Sequence, residues 1–191
     1  MESAAGNERR CARCAATPPS FRRARSIARY RPSAEDDPAS LPALIRRHKY
    51  GLDQAVGRAL AEYLGPSLPL DRGDLDMVVP VPLHRRRLWW RGFNQAALLA
   101  CEVARRLHLP IETGVLTRVR ATNPQTYRHH DDRLRNVRRA FDAPKPLRIA
   151  GKRILLVDDV MTTGATVEEC ARTLLDAGAQ AVDVFTLARV L

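Results

Sequence analysis

One segment near the C-terminus constrains the fold more than any other part of this 191-residue chain. Residues 154–157 form a continuous apolar run, which is typical of a central parallel strand buried on both faces. Two acids, Asp158 and Asp159, follow at the carboxyl end of the predicted strand. Open α/β sheets bind their ligands at that edge. The segment therefore predicts a ligand site at the end of a buried strand.

The residues after the acids have the composition of an anion-binding loop. Thr162, Thr163 and Thr166 each carry a hydroxyl donor, and Gly164 lets the backbone approach a ligand closely. A helix is predicted to begin within the loop, so that its first N–H groups and its dipole favour a phosphate. The alternative interpretation is a plain helix N-cap after an acidic strand end.

Two carboxylates and a phosphate would repel one another, but a sugar that lies between the carboxylates and the phosphate explains why both are present. Carboxylates accept hydrogen bonds from vicinal hydroxyls, and they can hold Mg²⁺ directly or through water. The pattern therefore predicts a ligand with a phosphate, a diol and a metal ion, as in ribose 5-phosphate chemistry.

The rest of the chain predicts an α/β domain over residues 41–191, with a parallel sheet covered by helices. The segment 84–91 is strongly basic and predicts a loop, and the polar segment 122–139 predicts an exposed, mobile excursion. The remaining predictions are helical spacing over 41–64, a strand at 77–82, a helix over 94–107, a strand over 111–119, a helix over 165–177 and a strand over 181–187.

Residues 1–40 are polar, Arg-rich and interrupted by prolines, which predicts a segment outside the domain that ends in a linker. This segment holds the pair Cys11 and Cys14. A structural Zn²⁺ is bound by four ligands, and no second pair of cysteines follows in the sequence. The zinc ligand set is therefore incomplete. Cys101 and Cys170 stand alone in helical patterns and are predicted to be small buried hydrophobic residues.

The formal net charge is +11, from 32 Lys and Arg against 21 Asp and Glu. This balance favours phosphorylated small molecules or nucleic acid as partners, although a solvated basic surface would give the same count. Trp89 and Trp90 flank a basic run, which suits stacking against the bases of single-stranded nucleic acid. Packing of these indoles onto the domain is the commoner arrangement.

The sequence contains no apolar stretch long enough for a membrane span, and its N-terminus lacks the apolar run of a secretory signal. A cytoplasmic location is expected, and disulfide bonds are not. The oligomeric state is left open, and an oligomer is compatible with the sequence.

Residues 154–167 closely resemble the phosphoribosyl pyrophosphate motif of type I phosphoribosyltransferases. The resemblance implies a doubly wound parallel sheet, with Asp158 and Asp159 contacting the ribose hydroxyls and Mg²⁺ accompanying phosphoribosyl pyrophosphate. It implies that the 5′-phosphate and its surroundings are bound by the residues that follow the acids: Val160, Met161, Thr162, Thr163, Gly164, Ala165 and Thr166.

A second resemblance, to the ComF group of phosphoribosyltransferase-like competence proteins, covers nearly all of residues 41–191. It is carried by residues 44–50, 79–83, 91–96 and 133–141 and by Gln125. It implies that Arg85 and Arg91 contact pyrophosphate and that residues 122–139 form a flexible hood over the site. It also implies that Cys11 and Cys14 are the remnant of an N-terminal zinc ribbon.

Two functions follow from these resemblances. The first is transfer of phosphoribosyl from phosphoribosyl pyrophosphate to an unidentified nitrogen acceptor, with release of pyrophosphate. The alternative is a non-catalytic protein that binds single-stranded DNA during DNA uptake and retains the fold.

Overall fold

The computed structural model of the chain describes residues 12–30, 72–121 and 135–190. The predicted helical region 41–64, Cys11 and most of the hood lie outside the described residues. The helices and strands within the described ranges, in chain order, are α1 (Ala12–Ala16), β1 (Ala24–Arg29), β2 (Met77–Pro80), α2 (Arg85–Arg91), α3 (Gln95–Leu107), β3 (Thr117–Arg118), β4 (Phe141–Asp142), α4 (Pro146–Ile149), β5 (Arg153–Met161), α5 (Ala165–Asp176) and β6 (Ala181–Arg189).

Four strands form a parallel sheet in the order β1-β6-β5-β2. Strand β5 lies between β6 and β2, with Val157 opposite Phe185 on one side and Pro80 on the other. The predicted central strand is therefore confirmed, and it is longer than its apolar run. The final strand is confirmed as well, and it extends two residues beyond the predicted end.

Helices cover both faces of this sheet. Ile154 and Leu156 pack in one buried cluster with Val167, Cys170 and Leu174, which are residues of α5. The alternate residues Leu155 and Val157 pack in the other cluster, with Leu99 and Val103 of α3. All four apolar residues of β5 are fully buried, and burying each such side chain contributes roughly 1.5–3 kcal/mol.

Because helices pack on both faces, the sheet is doubly wound, as the resemblance to type I phosphoribosyltransferases implied. Within the described ranges, no helix has both the length and the apolar character needed to cross a membrane.

Strand β1 corrects the prediction that residues 1–40 lie outside the domain. Residues Ala24–Arg29 pair in parallel with β6, and the Ser26 and Thr186 hydroxyls lie 2.7 Å apart across the two strands. The strand was missed because it lies at the sheet edge, where five of its six residues are only half-buried. Such a strand needs no apolar run, so the Arg-containing sequence carries little signal.

Two further predictions about local structure are wrong. Residues 84–91 are a helix rather than a loop, because His84 accepts a hydrogen bond from the Arg86 backbone as its N-cap and Gly92 ends it at φ 75°. Residues 111–119 are not one strand. Ile111 forms a single bridge to Val78, the chain then bends, and β3 pairs with β4 in a separate antiparallel pair.

One of the two predictions of a buried cysteine is confirmed and the other is wrong. Cys170 is fully buried as expected, whereas Cys101 is exposed. Cys101 faces solvent because the buried stripe of α3 runs through Leu99, Ala100 and Val103. Both cysteines are free thiols.

An ion-pair network attaches the N-terminal strand to the sheet. Asp183 of β6 is nearly buried, with 6% side-chain exposure, and it accepts hydrogen bonds from Arg22 at 3.0 Å and Arg23 at 2.8 Å. Arg22 also donates both terminal nitrogens to Asp74, at 2.9 and 3.2 Å. The network joins β6 to the residues just before β1 and β2.

This network predicts a specific loss of stability in acid. Hydrogen bonds from Arg22 lower the pKa of Asp74 from its ordinary 3.8 to about 2. Because the folded-state pKa is depressed, the contribution is complete above pH 3.8 and is lost as the pH falls towards 2. We expect Asp74→Asn to remove part of the acid sensitivity of the melting temperature in that window. The exposed Asp142→Asn is the control; equal pH profiles for the two variants would contradict the assignment.

Candidate functional site

The acid pair, Asp158 and Asp159, lies within β5 rather than beyond it. The strand continues to Met161, and Asp158 pairs with Thr186 across the sheet. Both acids are half-buried. The carboxylate of Asp158 accepts a hydrogen bond from the Asp159 backbone at 2.9 Å, and that of Asp159 accepts from the Val160 backbone at 2.6 Å. Because each carboxylate accepts a hydrogen bond from the next backbone N–H, both carboxylates stay close to the backbone at the C-terminal end of the strand.

The threonine loop, residues 162–166, follows directly and starts α5. Gly164 is the N-cap residue at φ 81°, a conformation that residues with a Cβ rarely adopt, and a Cβ there would meet the Met161 side chain at 3.2 Å. Gly164 has no side chain with which to cap the helix, and Thr163 Oγ1 accepts a hydrogen bond from the Ala165 backbone at 3.4 Å. Thr162 is exposed and Gly164 is half-buried, so the loop is open to a ligand.

The implied ligand residues differ in how they could bind. Thr162, Thr163 and Thr166 keep hydroxyls that are exposed or half-buried. Met161 and Ala165 are buried in the core, so only their backbone groups could reach a ligand. Val160 is half-buried and has no polar side-chain atom.

A second helix begins at the same edge of the sheet. Asn94 is the N-cap of α3; its Nδ2 donates to the Val81 carbonyl at 3.0 Å and its Oδ1 accepts from the Ala96 backbone at 3.1 Å. Val81 follows β2, the strand that pairs with β5. The start of α3 therefore lies at the carboxyl end of the strand next to the acid pair.

The structure separates the two arginines implied for pyrophosphate. Arg91, the last residue of α2, is half-buried, and its Nη1 donates to Gln95 Oε1 at 3.3 Å. It thus lies at the start of α3, on the ligand edge. Arg85 is exposed on the first turn of α2.

The sequence did not single out Arg118 as a site residue. This residue of β3 is half-buried, with its guanidinium 5.3 Å from the centre of the Phe141 ring. Burial and the charge of Arg87 lower the pKa of Arg118, while the negative charge of Asp158 opposes that shift. Arg118, Arg87 and Asp158 therefore share one electrostatic neighbourhood. Nothing local could have signalled this, because Arg118 precedes Asp158 by forty residues.

Cys170 of α5 is buried in the cluster that contains Leu156, and the charge of Asp158 acts on it. Burial, with the charge of Asp158 adding to it, raises the pKa of its thiol well above the ordinary value, so the group stays neutral. It fills space in the core rather than acting as a nucleophile.

The described ends of the hood meet beside α5. Arg120 donates to the carbonyl oxygens of Asn136 and Arg138 at 2.9 and 2.6 Å, and the Arg139 backbone N–H donates to the buried Glu169. Residues 122–134 lie outside the described residues, and the flexibility of the hood stays a prediction.

The zinc prediction is not tested. Cys14 is half-buried, and Cys11 lies outside the described residues. Among residues 12–30, 72–121 and 135–190, no three His, Cys, Asp or Glu side chains are grouped to hold a metal ion.

Comparison with known proteins identifies the family. The phosphoribosyl transferase domain family matches residues 94–191, a range that contains the acid pair, the threonine loop and both ends of the hood. Among solved structures, an adenine phosphoribosyltransferase from Thermoanaerobacter pseudethanolicus is 16% identical, with 85% of this chain and 95% of that chain covered and a TM-score of 0.42. A likeness this weak adds nothing to the assignment.

Two relatives are more similar to this chain in sequence. The DNA utilization protein YhgH of Escherichia coli K12 is 37% identical over 95% of this chain and 78% of its own length. Competence protein F of Haemophilus influenzae is 35% identical over 78% of this chain and 68% of its own. The chain belongs to the ComF family of proteins with a phosphoribosyl transferase domain.

Proposed function

We propose that this protein binds phosphoribosyl pyrophosphate with Mg²⁺ at the carboxyl edge of β5. The observation that carries the proposal is the half-buried acid pair at the end of the central strand, followed at once by an open loop that starts a helix. The helix N-terminus suits the 5′-phosphate, and the carboxylates suit the ribose diol. The family match supports the same ligand class.

The acid pair also fits Mg²⁺, which prefers carboxylate oxygens and keeps several of its waters. Asp158 and Asp159 would hold the ion through the ribose hydroxyls or through water. When bound, Mg²⁺ neutralises charge on the pyrophosphate that leaves.

We further propose transfer of the phosphoribosyl group to a nitrogen acceptor. The C1–O bond to pyrophosphate breaks, a C1–N bond forms, and the acceptor loses its proton to solvent or to a nearby base. Positive charge grows on the sugar ring, where the carboxylates of the acid pair lie close enough to stabilise it. Negative charge grows on pyrophosphate, which the guanidinium of Arg91 at the neighbouring strand end would stabilise.

Pyrophosphate release tests the transfer step. The protein is incubated with phosphoribosyl pyrophosphate, Mg²⁺ and a panel of purine bases, pyrimidine bases and amines, and pyrophosphate is measured over time. We expect release that depends on one acceptor, with the ribosylated product detected by mass spectrometry. Tight binding with no acceptor-dependent release would contradict transfer and leave the binding proposal standing.

A second candidate function is binding of single-stranded DNA, which the exposed face of α2 favours. Trp89 and Trp90 are 90% and 61% exposed, so they do not pack onto the domain as tryptophans usually do. The same helix carries four arginines and no acid: Arg85, Arg86, Arg87 and Arg91. Relatives are named DNA utilization protein and competence protein. Exposed aromatic rings beside guanidinium groups can stack bases and neutralise phosphates.

Fluorescence anisotropy with labelled oligothymidine tests this candidate. We expect affinity to fall steeply with salt, and Trp89→Ala/Trp90→Ala to weaken binding about 10-fold or more, since each stacked base contributes roughly 1–3 kcal/mol. Leu147→Ala removes another exposed apolar side chain, 93% exposed on α4, and is the matched control. No binding at about 50 mM salt, or equal binding by both variants, would rule out this role of α2.

A further inference from the structure

Gln95, the first residue of α3, has an unusual combination of burial and bonding. The residue is 4% exposed, and its Oε1 accepts a hydrogen bond from Arg91 at 3.3 Å. Its Nε2 has no hydrogen-bond partner in the part of the chain that the structure describes. Buried side-chain donors are nearly always bonded, so an exception calls for an explanation such as a ligand or a bound water.

The location of Gln95 favours a ligand. Helix α3 is held at the carboxyl end of β2 by the bond from Asn94 to the Val81 carbonyl. Strand β2 pairs with β5 up to Val157, the residue immediately before the acid pair. Gln95 therefore lies at the ligand edge of the sheet, one strand away from Asp158.

The surroundings of Gln95 favour an anion. It occupies the first turn of a thirteen-residue helix, where the helix dipole attracts negative charge. The guanidinium of Arg91 contacts its oxygen. An amide nitrogen beside a guanidinium and a helix N-terminus can donate to a phosphoryl oxygen.

Two helix N-termini thus follow neighbouring strands, that of α5 after β5 and that of α3 after β2, and the acid pair lies near the end of β5. A ligand that reaches both carries a phosphoryl group at each end of a sugar. We infer that Gln95 binds the pyrophosphoryl end of phosphoribosyl pyrophosphate, donating from Nε2 to an oxygen of that group while its Oε1 positions Arg91. This inference rests on the proposed function and assigns one residue to one end of the ligand.

Calorimetric titrations with three probes test it: phosphoribosyl pyrophosphate, inorganic pyrophosphate and ribose 5-phosphate, each with Mg²⁺. We expect Gln95→Leu to weaken binding of the first two probes about 10- to 100-fold, as for loss of a charge-assisted hydrogen bond, and to leave ribose 5-phosphate unchanged. Gln95→Glu keeps an oxygen for Arg91 but adds negative charge, so it should weaken the same two probes further. Gln180→Leu changes an exposed glutamine beyond α5 and is the matched control.

Thermal melting of the unliganded protein gives an independent readout. Gln95→Leu removes a donor without a described partner together with the 3.3 Å hydrogen bond from Arg91, so its melting temperature should fall by no more than about 2–4 °C, as for the loss of one hydrogen bond. A larger fall in the melting temperature, with unchanged affinity for phosphoribosyl pyrophosphate, would show that Nε2 has a structural partner, and would overturn the inference. Equal weakening of ribose 5-phosphate would overturn it too.

The proposed function and the role of Gln95 can be tested separately. If the unmodified protein binds no phosphoribosyl pyrophosphate, that proposal is lost. Binding of inorganic pyrophosphate by the unmodified protein but not by Gln95→Leu would still support an anion site at Gln95.

Discussion

Replacing both Asp158 and Asp159 by asparagine is expected to reduce the affinity for phosphoribosyl pyrophosphate by at least about 100-fold. Each carboxylate accepts hydrogen bonds from the sugar in the proposed complex, and a hydrogen bond to a charged group contributes about 1.5–3 kcal/mol. Asparagine keeps the size of each side chain but loses the charge that holds Mg²⁺. Calorimetry with Mg²⁺ present measures the loss.

The double variant should remain folded, because both acids are half-buried at a strand end and neither belongs to the apolar core. Circular dichroism and the melting temperature check this. Asp142→Asn, an exposed acid on β4, is the matched control and should bind as the unmodified protein does. Unchanged heats of binding in the double variant would remove the acid pair from the site.

Replacing Asp183 by alanine is expected to lower the free energy of unfolding by about 2–3 kcal/mol. Removing one partner of a fully buried ion pair costs about 3–5 kcal/mol, because the other charge is left buried. Here the loss should be smaller, since Arg22 and Arg23 remain 38% and 43% exposed and can turn towards water. Urea denaturation measures the change.

Asp176→Ala is the matched control for Asp183→Ala. Asp176 also pairs with an arginine, Arg172 at 2.8 Å, but it is 64% exposed. An exposed pair of this kind on a helix contributes about 0.3–0.5 kcal/mol. Similar small losses in both variants would mean that the Arg22, Arg23 and Asp183 network does not anchor β1 to the sheet.

The centre of the fold could be predicted from the sequence, because its residues carry strong local patterns. A fully buried parallel strand requires an apolar run, which residues 154–157 supply, and the buried stripe of α3 follows helical spacing. The edge of the fold could not be predicted in this way. Strand β1 is half-buried beside β6, and burial that shallow leaves no periodic signal.

Some residues of the candidate site could likewise be predicted from the sequence, and others could not. The acid pair and the threonine loop are contiguous in the sequence, so their order alone predicted a strand, two acids and a helix start in succession, although the strand runs on to Met161. Gln95 reaches the same edge from another element, and only the folded chain brings it there. The position of Arg91 was predicted from a resemblance, while its contact with Gln95 depends on Gly92 ending α2 between them.

The most direct test of the central claim is a crystal structure of the protein with ribose 5-phosphate bound. We expect the phosphate oxygens within about 2.7–3.2 Å of backbone nitrogens of the threonine loop, and the sugar diol within the same distance of Asp158 and Asp159. A phosphate bound elsewhere, for example among the arginines of α2, with no sugar contact at the acid pair, would contradict the account.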